Sequence, residues 1–565
     1  MRAQRFGLRM KAVVILQART TSSRLPGKAL LPVAGYPSAI LAALRAANRQ
    51  HPTIFATSDD PSDDVLAAQA RRHRVEVFRG PLNDVLARYF LAAADLPDDS
   101  IVVRLTGDNV VPDGALVAEI AEAFEGLDTE YLHDDPILSR LPYGVGAEAF
   151  SGAALRKAHA FATSATDREH VGPWMKRNCR SAVFMPKLPR LESFAHLRCT
   201  IDDADDYQMV RRLFENVSDP LEIGWFELAR KLAGLPGQAR FRVPSKESSG
   251  TLHSQFVLGT AQLGMDYGRV NSAGKPSKQD AVAMVRHAVA HGVSVIDTAR
   301  AYGEAERVLG EALAGGWRSR ARVVTKLDAT GLGEGTPESD VRLRVDASID
   351  ASCRALRSDR LDTLLLHNWA HHDLCRGAVW ERLREHQAEG RISILGASVY
   401  QPHEALAALA DPAVQHLQIP MNILDWRWTP LLKRAIADRP DVIVHARSAL
   451  LQGILVHPAD RWPVIPGFNS ADCARKLRAM AEKFDRAGLA DLCLAYVRSV
   501  PWITSVVVGC ETVEQLEQNL QLFLRSELKS EEVEELKYTL PKAPEELLNP
   551  AKWGLFEEKM GVYAS

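Results

Sequence analysis

Cysteine is scarce in this sequence, and nothing about its placement suggests pairing. Seven occur among 565 residues, at positions 179, 199, 353, 375, 473, 493 and 510, with no C-x-x-C pair. An odd, scattered set speaks against a disulfide framework and a structural zinc site, and suits a reducing cytoplasm. Net charge is scarce too. Lys and Arg total 69 against 71 Asp and Glu, a balance of -2, so bulk electrostatics give no reason to expect a nucleic acid or membrane partner. No apolar run is long enough to span a bilayer. The basic first nine residues are not followed by the apolar core of a signal peptide. What is present is ordinary for a soluble globular protein, 46% hydrophobic and 25% charged. The length exceeds what one core supports, so two or three domains are expected.

The most informative stretch is Val295-Ile296-Asp297-Thr298-Ala299-Arg300-Ala301-Tyr302-Gly303. An apolar run ends in an acid, and a tyrosine beside a glycine follows five residues later. Two further strand-like runs end at Lys326 and His367. An acid, a phenol, an amine and an imidazole at successive strand ends are what the upper rim of a (β/α)8 barrel offers. A free phenol, with a pKa of about 10, is a weak acid at neutral pH. A nearby ammonium is expected to lower that value, with the acid holding the ammonium and the imidazole orienting a carbonyl oxygen. The pattern thus describes a proton donor for a carbonyl receiving hydride. Eight strands are expected, at residues 257–260, 293–297, 322–326, 363–367, 392–397, 417–420, 442–445 and 505–509. The barrel is placed at 255–545, with a Pro/Gly/Ser-rich linker at 244–254 and a loosely ordered tail at 546–565.

From about Gln255 to Phe523 these residues resemble the aldo/keto reductase family. The motifs that carry the resemblance are Leu258-Gly259-Thr260, Asp297 to Gly303, Glu306, Lys326, His367, Gly396-Ala397-Ser398, Gln418-Ile419-Pro420-Met421-Asn422 and Val506-Val507-Val508-Gly509. The resemblance implies that Asp297, Tyr302, Lys326 and His367 are catalytic and that the cofactor is NADPH or NADH. Ser398, Gln418, Asn422, Arg447 and Ser448 would meet its nicotinamide and pyrophosphate, and Gly509 and Asn519 its adenosine. Residues 510–519 contain no Lys or Arg to pair a 2′-phosphate, so the choice between the cofactors stays open. Trp426 and Trp428 read equally as a cleft wall or as core.

The first 243 residues read differently. Strand-like runs beginning near residues 11, 54, 75 and 101 alternate with amphipathic helices, the pattern of an open, mostly parallel sheet with ligands beyond the strand C-termini. The first run leads into a loop with Arg19, Arg24 and Lys28 and four hydroxyl residues, a composition able to wrap a triphosphate. Asp108 ends the fourth run and Asp202 follows another short one; two such carboxylates could share Mg²⁺. Asp203, Asp205 and Asp206 read as a helix start. The motifs Gln17-Ala18-Arg19, Arg24-Leu25-Pro26-Gly27-Lys28, Ala56-Thr57-Ser58, Arg104-Leu105-Thr106-Gly107-Asp108, Glu148-Ala149-Phe150, Asp167-Arg168-Glu169-His170 and Thr200-Ile201-Asp202 resemble cytidylyltransferases that activate acidic sugars, the spore-coat-polysaccharide type above all. The resemblance implies a nucleotide site at Gln17, Ala18, Arg19, Arg24, Lys28 and Thr57, Mg²⁺ on Asp108 and Asp202, and Glu148 and Arg168 beside the sugar.

The expectation is therefore an α/β chain with a GT-A-like nucleotidyltransferase domain before a TIM barrel, a bifunctional enzyme of surface-glycan precursor synthesis. One half would join CMP from CTP to an acidic sugar with release of pyrophosphate. The other would reduce a sugar carbonyl or run the reverse oxidation. Two alternatives are a barrel that binds dinucleotide without turnover and an N-terminal domain that uses a nucleotide-sugar donor. The oligomeric state, a homo-oligomer included, stays open.

Overall fold

The computed structural model describes residues 12–553, except 23–24, 136–137, 147, 190–192, 236–240 and 272–273. The chain divides into two compact units between Arg242 and Val243.

The first unit is built on a seven-stranded sheet. Its strands are β1 (Ala12–Gln17), β2 (Thr53–Ser58), β3 (Glu76–Gly80), β4 (Ile101–Thr106), β5 (Tyr131–His133), β6 (Glu148–Ser151) and β7 (Ser181–Val183). The order is β3-β2-β1-β4-β6-β5-β7. The first four strands are parallel, and β6 runs antiparallel to both β4 and β5. The run Ala12-Val13-Val14-Ile15-Leu16 is apolar at every position because both of its faces are covered. Val14 and Leu16 pack into one core with Phe55, Val103 and Leu105, and Val13 and Ile15 pack into another with Ile54, Ala56 and Val102. Register sets Gln17 level with Thr106, so β1 and β4 end together at the carboxyl edge. The short run 197–201 is not a strand. It is held by single backbone bonds, Cys199 N–H to Tyr143 O and Ile201 N–H to Asp108 O, both 2.9 Å.

The second unit is a closed eight-stranded parallel barrel. A hairpin, β8 (Ser245–Ser248) and β9 (Thr251–Ser254), precedes its strands β10 (Phe256–Gly259), β11 (Val295–Asp297), β12 (Arg322–Lys326), β13 (Leu361–Leu366), β14 (Ile392–Ser398), β15 (His416–Pro420), β16 (Ile443–Arg447) and β17 (Ser505–Gly509). Val257, Val295, Val324 and Leu365 pack together as a fully buried cluster. The stretch read as a linker, 244–254, is this hairpin. Lys246 Nζ donates to Ile503 O at 2.7 Å, and the Ser254 N–H donates to Ser294 Oγ at 2.9 Å. Both acceptors lie just ahead of barrel strands, so the hairpin covers the amino-terminal end of the barrel. Part of the stretch read as a loose tail is ordered as well. Leu547, Leu548 and Trp553 are buried, and the Trp553 indole donates to Leu547 O at 3.0 Å. Residues 554–565 lie outside the described residues.

Two candidate active sites

At the carboxyl edge of the first sheet lies a cavity of about 750 Å³. The loop leaving β1 is anchored early. The Thr20 N–H and hydroxyl both donate to Asp63 Oδ1, at 2.7 and 2.8 Å, and Asp63 also accepts from the Ser58 N–H at the end of β2. The loop then turns through Gly27, whose φ of +71° suits a residue without a Cβ, and delivers Lys28. Lys28 Nζ lies 2.8 Å from Asp108 Oδ2, 3.0 Å from Asp202 Oδ1 and 2.8 Å from Ile201 O. The backbone bond from Ile201 to Asp108 brings the two acids together from segments far apart in sequence. Arg198 binds the other oxygen of Asp202 at 2.6 Å, and Asp206 at 3.1 Å. Asp203 caps the helix Ala204–Phe214 through the Asp206 N–H, as its acid-rich start suggested. Two hard carboxylate oxygens therefore meet at one point already held by a cation, a donor set suited to Mg²⁺ completed by phosphate oxygens and water. Among the described residues no group of three or more His, Cys, Asp or Glu is arranged to hold a metal; a cation between Asp108 and Asp202 would need further ligands from a phosphate-bearing substrate and water.

Gln17, Ala18, Arg19, Lys28, Asp108, Glu148 and Asp202 all line this cavity. Thr57 does not; it is fully buried, and β2 adjoins β1 on the side away from β4, while the cavity opens over β1 and β4. Arg168 also departs from expectation. Its Nε donates to Asp84 at 2.8 Å and its Nη1 to the carbonyls of His159 and Ala162, which commits the guanidinium to tying helices together. Its neighbours Glu169 and His170 line the cavity instead. Arg24 lies outside the described residues. Asp134, on the cavity wall, follows β5 in a run without periodicity, and no sequence signal marked it.

In the barrel, β11 ends at Asp297 and β12 at Lys326. Lys326 Nζ donates to both oxygens of Asp297, at 2.7 and 2.9 Å, and to Thr298 O at 2.8 Å. Gln418, on β15, donates to Asp297 Oδ2 at 2.7 Å, so its amide is engaged by that carboxylate. Lys326 Nζ sits 5.1 Å from the centre of the Tyr302 ring. His367, one residue past β13, places its ring 5.9 Å from that of Tyr302 at 80°. The four side chains thus converge. Glu306, 1% exposed, accepts from Thr325 at 2.7 Å and pairs with Arg300 at 3.0 Å. Ser398 and Asn422 are buried at strand ends, with Asn422 Oδ1 accepting from the Leu424 N–H. Arg447 lies over the Tyr400 ring at 4.5 Å and donates to Val399 O, beside Ser448 with its φ of +61°. Gly509 closes β17, and Asn519 turns inward to Cys510. Trp428 is fully buried and donates to Asp425 at 2.9 Å, a core residue, whereas Trp426 is half-buried.

The electrostatics differ from the expectation in one respect. Burial raises the Tyr302 phenol above its ordinary value, and the Asp297 charge adds to the rise. The Lys326 charge is largely spent on Asp297, and burial lowers Lys326 itself. The phenol is therefore held as the acid rather than activated toward phenolate. Burial, and then the charges of Lys326 and Arg447, push His367 down to about 4, so at neutral pH it is an uncharged imidazole.

The family model "Aldo/keto reductase family" matches residues 255–540, just over half of the chain, and the model "Cytidylyltransferase" matches residues 13–242. The chain belongs to the aldo/keto reductase family and carries a cytidylyltransferase domain before the reductase. Both halves are thereby enzymes. The cytidylyltransferase domain is similar to the spore coat polysaccharide biosynthesis protein SpsF of Bacillus subtilis, 29% identical over 239 residues, covering 40% of this chain and 96% of that one. The aldo/keto reductase domain is similar to the uncharacterized oxidoreductase YqkF of Bacillus subtilis, 24% identical over 302 residues, covering 50% of this chain and 91% of that one. A solved cytidylyltransferase from Leptospira borgpetersenii is 26% identical, with a TM-score of 0.36, covering 39% of this chain and 93% of that one. No helix among the described residues is long and apolar enough to cross a membrane.

Proposed function

We propose that this chain is a bifunctional enzyme of glycan-precursor synthesis that transfers CMP from CTP to a sugar and reduces a carbonyl, or oxidises the corresponding alcohol. The transferase half rests on the convergence of Asp108 and Asp202 on Lys28 Nζ. Mg²⁺, when bound, would neutralise phosphate charge and hold the triphosphate in line. Asp108 and Asp202 would hold it, and Lys28 and Arg19 would turn to the phosphates. The acceptor hydroxyl oxygen attacks the α-phosphorus and loses its proton to solvent, the bond to the oxygen bridging to the β-phosphate breaks, and pyrophosphate leaves with that electron pair. Asp108→Asn is expected to lower pyrophosphate release at least ~100-fold, since metal-bound charge stabilisation supplies several kcal/mol. Release within threefold of the parent would refute this half.

The reductase half rests on the Lys326–Asp297 pair beneath Tyr302, with His367 beside the phenol. Bound NADH or NADPH supplies the hydride. Tyr302 gives its proton to the carbonyl oxygen and regains one from solvent. Neutral His367 orients that oxygen by donating a hydrogen bond. Ser398, Asn422, Arg447, Ser448, Gly509 and Asn519 are assigned to the cofactor. Residues 510–519 carry Glu511, Glu514 and Glu517 and no cation, so kcat/KM with NADH is expected to equal or exceed that with NADPH. An NADPH preference above ~10-fold, roughly 1.4 kcal/mol, would contradict that assignment. A cytoplasmic location accords with the free cysteines.

A further inference from the structure

The barrel interior just below the tetrad is apolar on one side and polar on the other. Side chains two residues apart on a strand share a face. Val295 precedes Asp297 by two, Val324 precedes Lys326 and Leu365 precedes His367, and these three pack with Val257 as one apolar cluster. On the other side the same spacing holds His416, two before Gln418 on β15, and His445, two before Arg447 on β16. Ser505, on β17, stands level with His445. The His416 and His445 rings lie 4.2 Å apart, and the His253 ring of the hairpin lies 6.3 Å from that of His445.

The reductase scheme leaves this polar side unused. Both nitrogens of His416, both of His445 and Ser505 Oγ are buried without a hydrogen-bond partner in the chain. The three residues are at most 1% exposed and sit on adjacent strands. Buried polar groups are met by protein or by ordered water. Among the described residues no group of three or more is arranged to hold a metal, whereas neutral imidazole and hydroxyl offer the donors and acceptors that water satisfies. The polar side also runs between two ends. On β12, Lys326 stands at the catalytic end and Arg322 at the start, about 13 Å apart at the usual rise of a strand. Arg322 Nη2 lies 3.4 Å from His253 Nδ1 and donates to Leu252 O at 3.1 Å. Arg322 is half-buried and Leu252 is exposed, so this end reaches the barrel's surface. Burial, with the charges of Lys326 and Arg322, keeps His416 and His445 neutral. A neutral imidazole takes a proton on one nitrogen and releases one from the other, so such rings pass a proton on rather than store it.

We infer that His253, His445 and His416, joined by internal water, relay protons from the amino-terminal end of the barrel to Lys326, which reprotonates Tyr302 after each reduction. This rests on the reductase reading above. Tyr302 is left as phenolate when the carbonyl oxygen takes its proton. Lys326 passes its own proton to the phenolate, and the relay returns one to the amine, so each reduction draws one proton from solvent. Alcohol oxidation runs the same path backward. The test follows NADH oxidation with glyceraldehyde by stopped flow at pH 7.5, in H₂O and in D₂O, for the parent, His445→Leu and His416→Leu. The first turnover spends the proton already on Tyr302, so all three should oxidise one equivalent of NADH per site at the same rate. Later turnovers in the variants should be at least ~10-fold slower than in the parent, since proton transfer by positioned groups contributes 10² or more. The solvent isotope effect on that steady rate should rise. His445→Gln, which keeps polar contacts and carries no basic nitrogen, should behave as His445→Leu does, and it serves where leucine disturbs the fold. A steady rate within twofold of the parent, or a first turnover slowed as much as the later ones, overturns the relay and leaves the reductase reading standing. A parent with no carbonyl-dependent NADH oxidation takes down the reductase reading and the relay with it.

Discussion

Tyr302→Phe is expected to lower reductase turnover by about 10³-fold while leaving cofactor binding within twofold. A positioned general acid contributes roughly 10² to 10⁴, and the phenol is held in its proton-bearing form beside the His367 ring. Burial and Asp297 both hold the proton on Tyr302. Asp297 is itself engaged by Lys326 and Gln418, and His367, pushed down to about 4, has no proton to give as imidazolium at neutral pH. Phenylalanine keeps the ring and its edge-on packing with His367, so the loss should fall on kcat. Single-turnover oxidation of NADH in the variant, with cofactor affinity from fluorescence quenching, separates the two. Turnover within tenfold of the parent would show that another group delivers the proton.

The barrel is expected to lose stability steeply between pH 6.5 and 5, well above the range in which carboxylates titrate. Beneath Lys326 the interior holds His416 on β15 and His445 on β16, rings 4.2 Å apart, with His253 of the hairpin 6.3 Å from His445. Both nitrogens of His416 and of His445 are buried without a hydrogen-bond partner. Burial lowers all three. His253 falls to about 4, with Arg322 adding to the effect; His416 falls to about 3, with His253 and Lys326 adding; His445 is lowered well below its ordinary value, with His416 and His253 adding. The sign follows from proton counting. Below pH 6.5 the unfolded chain binds protons at these histidines that the folded barrel refuses, so stability falls with pH until the folded values are reached. At pH 5 the cost is about 2 kcal/mol for each histidine, on the order of 6 for three, comparable with the whole stability of many domains. Melting followed by near-ultraviolet circular dichroism from pH 7.5 to 4.5 should show this. A His416→Leu, His445→Leu variant should flatten the dependence. A melting temperature constant to pH 4.5 in the parent would rule the mechanism out.

Three barrel strands were legible because each buried run stops at or one residue before a polar side chain, Asp297, Lys326 or His367, and the convergence of these side chains with Tyr302 follows from their place at the strand ends. The hairpin over the barrel's amino-terminal end was not legible. Ser245-Lys246-Glu247-Ser248 has no apolar alternation, and its pairing depends on backbone bonds and on carbonyls far along the chain. Thr57 lies next to the end of its strand, Ser58, much as Gln17 ends β1, and only the strand order shows that its edge lies off the cavity. Arg168 and Asp134 were misjudged or missed for a related reason. A charge in a loop does not announce whether its partner is another part of the chain or a ligand. The raised Tyr302 pKa depends on burial, a property of the assembled site.

The most direct test of the account is a crossed assay on one preparation each of parent, Asp108→Asn and Tyr302→Phe, measuring pyrophosphate release and carbonyl-dependent NADH oxidation side by side. Two separate sites predict that Asp108→Asn abolishes the first and spares the second, and that Tyr302→Phe does the reverse. Loss of both activities in either variant, with the fold intact by melting, would contradict it.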